Sequence, residues 1–132
     1  TEIDKTFQNW LKSWRTMNLK TYLKFYHKDF KGPKFKNMKK FSAYKRRIFK
    51  KYNQIRIKTN NQRTLSHKKY AITIMNQDFL GDNRFQSVGR KVIYWVKTQG
   101  GWQIIREHFD EKLFSPVNFS LEKISDLRKN TG

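Results

Sequence analysis

Glu107-His108-x-Asp110-Glu111 gathers more metal-capable and proton-handling side chains than any other short stretch of the chain. It ends an apolar run, Trp102–Phe109, whose alternation reads as a strand. Neighbours along a strand point to opposite faces, so consecutive residues do not converge on one ion. His27 and His67 stand alone, without ligand spacing around them. No metal and no cofactor is therefore expected. Cysteine is absent, which excludes disulfides, thiolate metal sites and a Cys nucleophile within this chain.

The net charge of +20 is the strongest compositional fact, and it is unevenly placed. No acidic residue occurs between Asp29 and Asp78, an interval crowded with Lys and Arg. Such a field attracts polyanions: nucleic acid, acidic lipid head groups or anionic cell-wall polymers. Lys39, Lys40, Arg46, Lys50 and Lys51 are the candidate basic surface. Aromatic residues interleaved with them (Phe35, Phe41, Tyr44, Phe49, Tyr52) have the chemistry to stack on bases. They fall at helical core spacing, however, which uses them up in packing, and no RNP-like, helix-turn-helix or zinc-finger pattern accompanies them. Nucleic-acid binding is thus disfavoured. The plain alternative is that these charges are the solvated side of an amphipathic helix.

The elements that position these residues follow from periodicity. The 132 residues are enough for one domain with a real core, and no stretch approaches the ~20 consecutive apolar residues of a membrane span. Ile3, Phe7, Trp10, Leu11, Trp14 and Met17 recur at helical spacing. Asn18 caps a second helix carrying Leu19, Tyr22, Leu23, Phe25 and Tyr26, and Gly32-Pro33 breaks it. A third helix is predicted from Asn37 to Tyr52, with Phe41, Tyr44, Ile48 and Tyr52 on one face. From Asn53 the period changes to two. Ile55 and Ile57 alternate with Arg56 and Lys58, Asn60-Asn61 reads as a bend, and Tyr70–Met75 forms the next strand. Gly81-Asp82-Asn83 is a turn. Phe85–Lys97 and Trp102–Phe109 then make a hairpin through Gly100-Gly101. Both faces of Val92–Val96 are apolar or aromatic, which predicts a sheet covered on both sides. The fold class is α+β: three N-terminal helices packed on a curved four-stranded antiparallel sheet, with a short C-terminal extension. The domain is placed at residues 1–110. The extension, 111–132, contains Ser115-Pro116 and a short candidate helix with Leu121, Ile124 and Leu127, capped by Ser120. A chain starting at Thr1 rather than Met reads as a fragment of a longer protein.

Several motifs occur in a fixed order: Trp10 and Trp14, Tyr22-Leu23-x-Phe25-Tyr26-x-x-Asp29-Phe30, Tyr44-x-x-Arg47, Gln77-Asp78-Phe79, Lys91, and Gly101-Trp102-x-Ile104-x-x-Glu107. With the helix-then-sheet layout, they resemble the NTF2-like superfamily, which includes SnoaL and ketosteroid isomerase. They resemble in particular the NTF2-like domain C-terminal to L,D-transpeptidase (YkuD-type) catalytic domains of Gram-negative bacteria. That version occurs in cell-shape L,D-carboxypeptidases, which trim peptidoglycan stem peptides. The resemblance spans residues 3–109 and departs from the pattern at Tyr44, where Trp is usual.

The resemblance implies a cone-shaped pocket lined by Trp14, Tyr22, Tyr26, Tyr44, Arg47, Gln77, Phe79, Lys91, Tyr94 and Glu107. Aromatic walls with a few polar groups suit sugars or peptide fragments, and Arg47 and Lys91 suit a carboxylate. Isomerase-type chemistry would need a pocket carboxylate, Asp78 or Glu107, facing a tyrosine donor. The simpler expectation pairs Glu107 with Lys91 or Arg47 and leaves the tyrosines in the core. Transpeptidase chemistry needs a Cys nucleophile, so it would lie in another domain. The implied role is a non-catalytic, periplasmic accessory domain that binds peptidoglycan or another anionic envelope polymer, with a homodimer through the sheet. The alternatives are a small enzyme or carrier for a hydrophobic molecule and, behind it, a nucleic-acid binder.

Overall fold

The computed structural model describes residues 1–111; the short helix expected after Ser120 lies outside the described residues. Helix α1 (Glu2–Arg15) buries Ile3, Phe7, Trp10, Leu11 and Trp14 along one stripe. The Thr1 hydroxyl caps it by accepting from the Asp4 amide. Helix α2 (Leu19–Lys24) starts at Asn18, whose side chain accepts from the Thr21 amide. It stops two residues short of the sequence expectation. Tyr26 opens a strand instead, β1 (Tyr26–Lys31).

Helix α3 (Met38–Lys51) is capped by Asn37 and buries Phe41, Lys45 and Phe49. Four long strands follow: β2 (Ile55–His67), β3 (Tyr70–Gly81), β4 (Phe85–Thr98) and β5 (Gly101–Asp110). The sheet is five-stranded and mixed, in the order β1-β5-β4-β3-β2. The expected four antiparallel strands are all present, and β1 adds a fifth, parallel to β5. Asn60-Asn61 is not the end of a strand. It is a bulge inside β2, with Asn61 at φ 52°, and the strand continues to His67. At the last hairpin, only Gly101 takes a positive φ, 109°.

The helices cover one face of the sheet. Met75, Phe79, Ile93, Trp95 and Ile104 lie beneath them in a continuous aromatic core. Both Arg15 guanidinium nitrogens Nε and Nη2 donate to the Ile57 carbonyl, at 2.9 and 2.7 Å, tying the end of α1 to β2. The other face is only partly covered by the described residues. Leu65, Tyr70, Ile72, Ile74 and Tyr94 are exposed there, so the expected cover on both sides is seen on one.

Gly81 sits where the ring of Tyr52 crosses the sheet. A Cβ there would lie 2.5 Å from the Tyr52 ring, which is buried against Phe79. Gly81→Ala is expected to destabilise the fold by about 1–3 kcal/mol through overpacking. Urea denaturation measures this, and an unchanged midpoint would show that the Tyr52 ring moves freely.

Candidate ligand-binding site

The polar centre of the domain is built by residues of six elements. Trp14 comes from α1, Tyr22 from α2, Tyr26 from β1, Lys45 from α3, Lys91 from β4 and Glu107 from β5. Lys91 and Glu107 share the helix-covered face because Lys91 pairs with Phe109 and Glu107 with Ile93 in the β4–β5 register. The Tyr26 hydroxyl donates to Glu107 Oε1 at 2.6 Å and accepts from Trp10 Nε1 at 3.2 Å. Its single proton is committed to Glu107, so the 2.8 Å contact with the Tyr22 hydroxyl has Tyr22 as donor. Burial and the Glu107 charge hold both phenols well above their ordinary range, and both stay neutral.

Two lysines complete the centre. Lys91 Nζ is 3.9 Å from Glu107 Oε2 and 4.8 Å from the Trp14 ring centroid. Lys45 Nζ is 4.7 Å from the same ring and within 6 Å of Tyr22, Phe41 and Tyr44. Burial lowers the Lys45 pKa to about 7, with repulsion from Lys91 adding to the shift and Glu107 opposing it. Lys91 is lowered by burial too, and Glu107 offsets part of that.

A cavity of about 310 Å³ opens beside this centre. Phe30, Phe35, Phe41 and Phe109 form its apolar walls, and Lys91 and Glu107 its polar end. Phe109 reaches the cavity by lying close over Gly89, where a Cβ would stand 2.7 Å from its ring.

Of the predicted lining, Lys91 and Glu107 border the cavity. Trp14, Tyr22, Tyr26, Gln77 and Phe79 are buried in the core around the two lysines. Tyr44 is at the rim, 36% exposed and packed on Phe35. Two of the predicted residues are elsewhere. Tyr94 faces the outer side of the sheet, because it alternates with the inward Ile93 and Trp95. Arg47 is exposed on α3, where Lys45 takes the inward position. Asp78, the other candidate carboxylate, is also outward and accepts from Gln86 Nε2. With Tyr26 donating to Glu107, the carboxylate and the phenol face each other rather than a shared substrate position. Lys39, Lys40, Arg46, Lys50 and Lys51 are all exposed on α3.

Sequence reasoning missed Lys45, Phe30, Phe35 and Phe109 as site residues. The spacing Phe41-x-x-x-Lys45-x-x-x-Phe49 was the available signal, since a lysine between two buried aromatics at i±4 has its stem in the core.

The family model of the Cds6 C-terminal NTF2-like domain matches residues 2–108. The chain belongs to this NTF2-like family. Among solved structures, this NTF2-like domain is similar to Bd1075 of Bdellovibrio bacteriovorus, with 25% identity and a TM-score of 0.79 over 86% of the chain. It is also similar to the helical cell shape determining protein Pgp2 of Campylobacter jejuni, as its K307A mutant, with 22% identity and a TM-score of 0.69 over 78% of the chain. The domain spans only 40% of the Bd1075 chain and 38% of the Pgp2 chain. An NTF2-like protein of unknown function from Pseudomonas putida shares the fold at 14% identity and a TM-score of 0.75, with 83% of each chain covered. No curated protein matches the sequence.

Proposed function

We propose that this NTF2-like domain is the non-catalytic accessory domain of a periplasmic, peptidoglycan-modifying L,D-transpeptidase or L,D-carboxypeptidase that acts in cell-shape control. It positions the enzyme on the cell wall or on another anionic envelope polymer. The observation that carries this reading is the match to a C-terminal domain family over residues 2–108. The likeness to a cell-shape protein more than twice as long agrees with it. Two structural features supply a means of attachment. The exposed basic side of α3 attracts a polyanion at long range, and the apolar cavity ending in Lys91 and Glu107 has the form of a short-ligand site.

Sedimentation with purified sacculi tests the proposal. The wild-type chain is expected to pellet with them. Reversal of Lys39, Lys40, Arg46 and Lys50 to Glu is expected to cut the bound fraction about tenfold, an effect that weakens as salt rises. Equal sedimentation of the two proteins, or of neither, would sink the claim.

A further inference from the structure

The sheet face turned away from the helices carries an apolar field with a cationic border. Three successive outward rungs of the sheet register build it. Leu65, Ile72, Tyr94 and Arg106 form the middle rung. His67, Tyr70, Val96 and Gln103 form the next one toward the β2–β3 turn, and Arg63, Ile74, Val92 and His108 the next one away from it. Their chain neighbours Ala71, Thr73, Ile93 and Trp95 are buried beneath the helices, so alternation turns these rungs outward. Every β3 and β4 position in them is apolar, while the β2 and β5 positions are, Leu65 apart, Arg, His or Gln. The acids that flank the field, Asp29 on β1 and Asp110 at the end of β5, lie outside the three rungs. The turn that closes β2 onto β3 adds Lys68 and Lys69, both exposed.

The most exposed part of this field is its edge at the turn. Leu65 and Tyr70 are 74% and 67% exposed, more than Ile72, Ile74 or Tyr94. Tyr70 directly follows the two turn lysines, and Leu65 precedes them on the same face. An apolar tip with a phenol and flanking lysines suits the boundary between lipid head groups and acyl chains. There the ring and the aliphatic carbons leave water, and the lysine stems carry their charge out to the phosphates. A second copy of the chain fits less well, because a two-fold pairing through this face sets its cationic border against itself.

We propose that this face docks the domain on the surface of an anionic lipid bilayer. Leu65 and Tyr70 enter the head-group region, and Arg63, Lys68 and Lys69 meet lipid phosphates. The contact is peripheral, since no helix among the described residues is long and apolar enough to cross a membrane. The basic side of α3 lies beyond the helix layer, so the domain can hold a polyanion on one side and a bilayer on the other. This goes beyond the proposed function and stands independently of it.

A net charge of +20 draws the chain to anionic vesicles by any face, so the test reads which face makes contact. The chain has no cysteine, and Leu65→Cys and Lys40→Cys therefore each give one site for an environment-sensitive fluorophore. Lys40 is exposed on α3, and a helix layer about 10 Å thick separates that side from the sheet, more than the ~8 Å Debye length at physiological salt. The probes are vesicles of phosphatidylcholine, alone or mixed equally with phosphatidylglycerol. The emission of labelled Leu65→Cys is expected to shift to the blue on the mixed vesicles only, and that of labelled Lys40→Cys on neither. The double variant Leu65→Ser, Tyr70→Ser keeps the charge and is expected to lower partitioning into mixed vesicles about tenfold. Reversal of Lys39, Lys40, Arg46 and Lys50 to Glu is expected to change it less than about threefold. A blue shift on labelled Lys40→Cys in place of Leu65→Cys, or unchanged partitioning of the double variant, would overturn the docking face. Equal binding to both kinds of vesicle would overturn the part given to the cationic border. A Leu65→Cys label already shielded without vesicles would also overturn the proposal. In a dimer by ultracentrifugation the face would belong to a second copy, and in a monomer to the chain's own remaining residues.

Discussion

Lys45→Met is expected to stabilise the domain at neutral pH and to flatten its stability curve between about pH 7 and pH 10.5. Lys45 titrates near 7 in the folded chain against an ordinary value of 10.5, chiefly because burial disfavours the ammonium. That difference corresponds to roughly 5 kcal/mol against the charged form. Below pH 7 both folded and unfolded chains carry the proton, so the whole penalty is present. Between pH 7 and 10.5 the unfolded chain holds a proton that the folded chain has given up, so wild-type stability rises with pH and the penalty fades. Methionine has a similar shape and no charge. It loses the cation–π contacts with Trp14, Tyr22, Phe41 and Tyr44, which together offset about 2 kcal/mol. The net gain is therefore about 1–3 kcal/mol at pH 6, shrinking to nothing or reversing near pH 10. Urea denaturation of both proteins at pH 6, 8 and 10 measures it. A difference that does not change with pH would mean that Lys45 keeps its charge in the core at no cost.

Lys45 also shows why the fold was more legible in the sequence than the site. Helix α1 was readable because every inward residue but Ser13 is apolar. Helix α3 was readable as a helix, but its inward face was placed one position out. Periodicity puts Tyr44 inward because a lysine counts as polar in any such pattern, whereas its four-carbon stem packs like an aliphatic chain; the inward place of Arg47 came only from the family resemblance. Strand β1 was hidden for a different reason. Only Tyr26 and Phe30 point inward from it, and a spacing of four suits a helix turn as well as a strand with period two. Its partner, the parallel edge of β5, is nearly eighty residues away in sequence, beyond any local pattern. Tyr94 was misplaced because both faces of β4 are apolar, so alternation gave no sign of which face the helices would cover. Lys91 and Glu107 came from the family resemblance, and the β4–β5 register then set them beside each other.

Glu107→Gln is expected to be the most damaging conservative substitution in the domain. The amide keeps the size and can still accept from Tyr26, so the Tyr22–Tyr26–Trp10 hydrogen bonds have no geometric reason to break. What it removes is the only carboxylate that the described residues place against Lys91 and Lys45. Removing one partner of a buried ion pair commonly costs about 3–5 kcal/mol, because the remaining charge is left uncompensated. The lysines limit the loss by releasing protons, since both are already shifted downward and lose the one influence that opposes the shift. The deficit should therefore be near 3–5 kcal/mol at pH 6 and fall to about 1 kcal/mol by pH 9. Adding Lys91→Met is expected to restore most of the lost stability at pH 6, because it removes the ammonium that Glu107→Gln leaves uncompensated. If the two substitutions instead destabilise additively, Lys91 and Glu107 act independently. The domain's polar centre would then be two separate surface-like charges rather than one electrostatic unit.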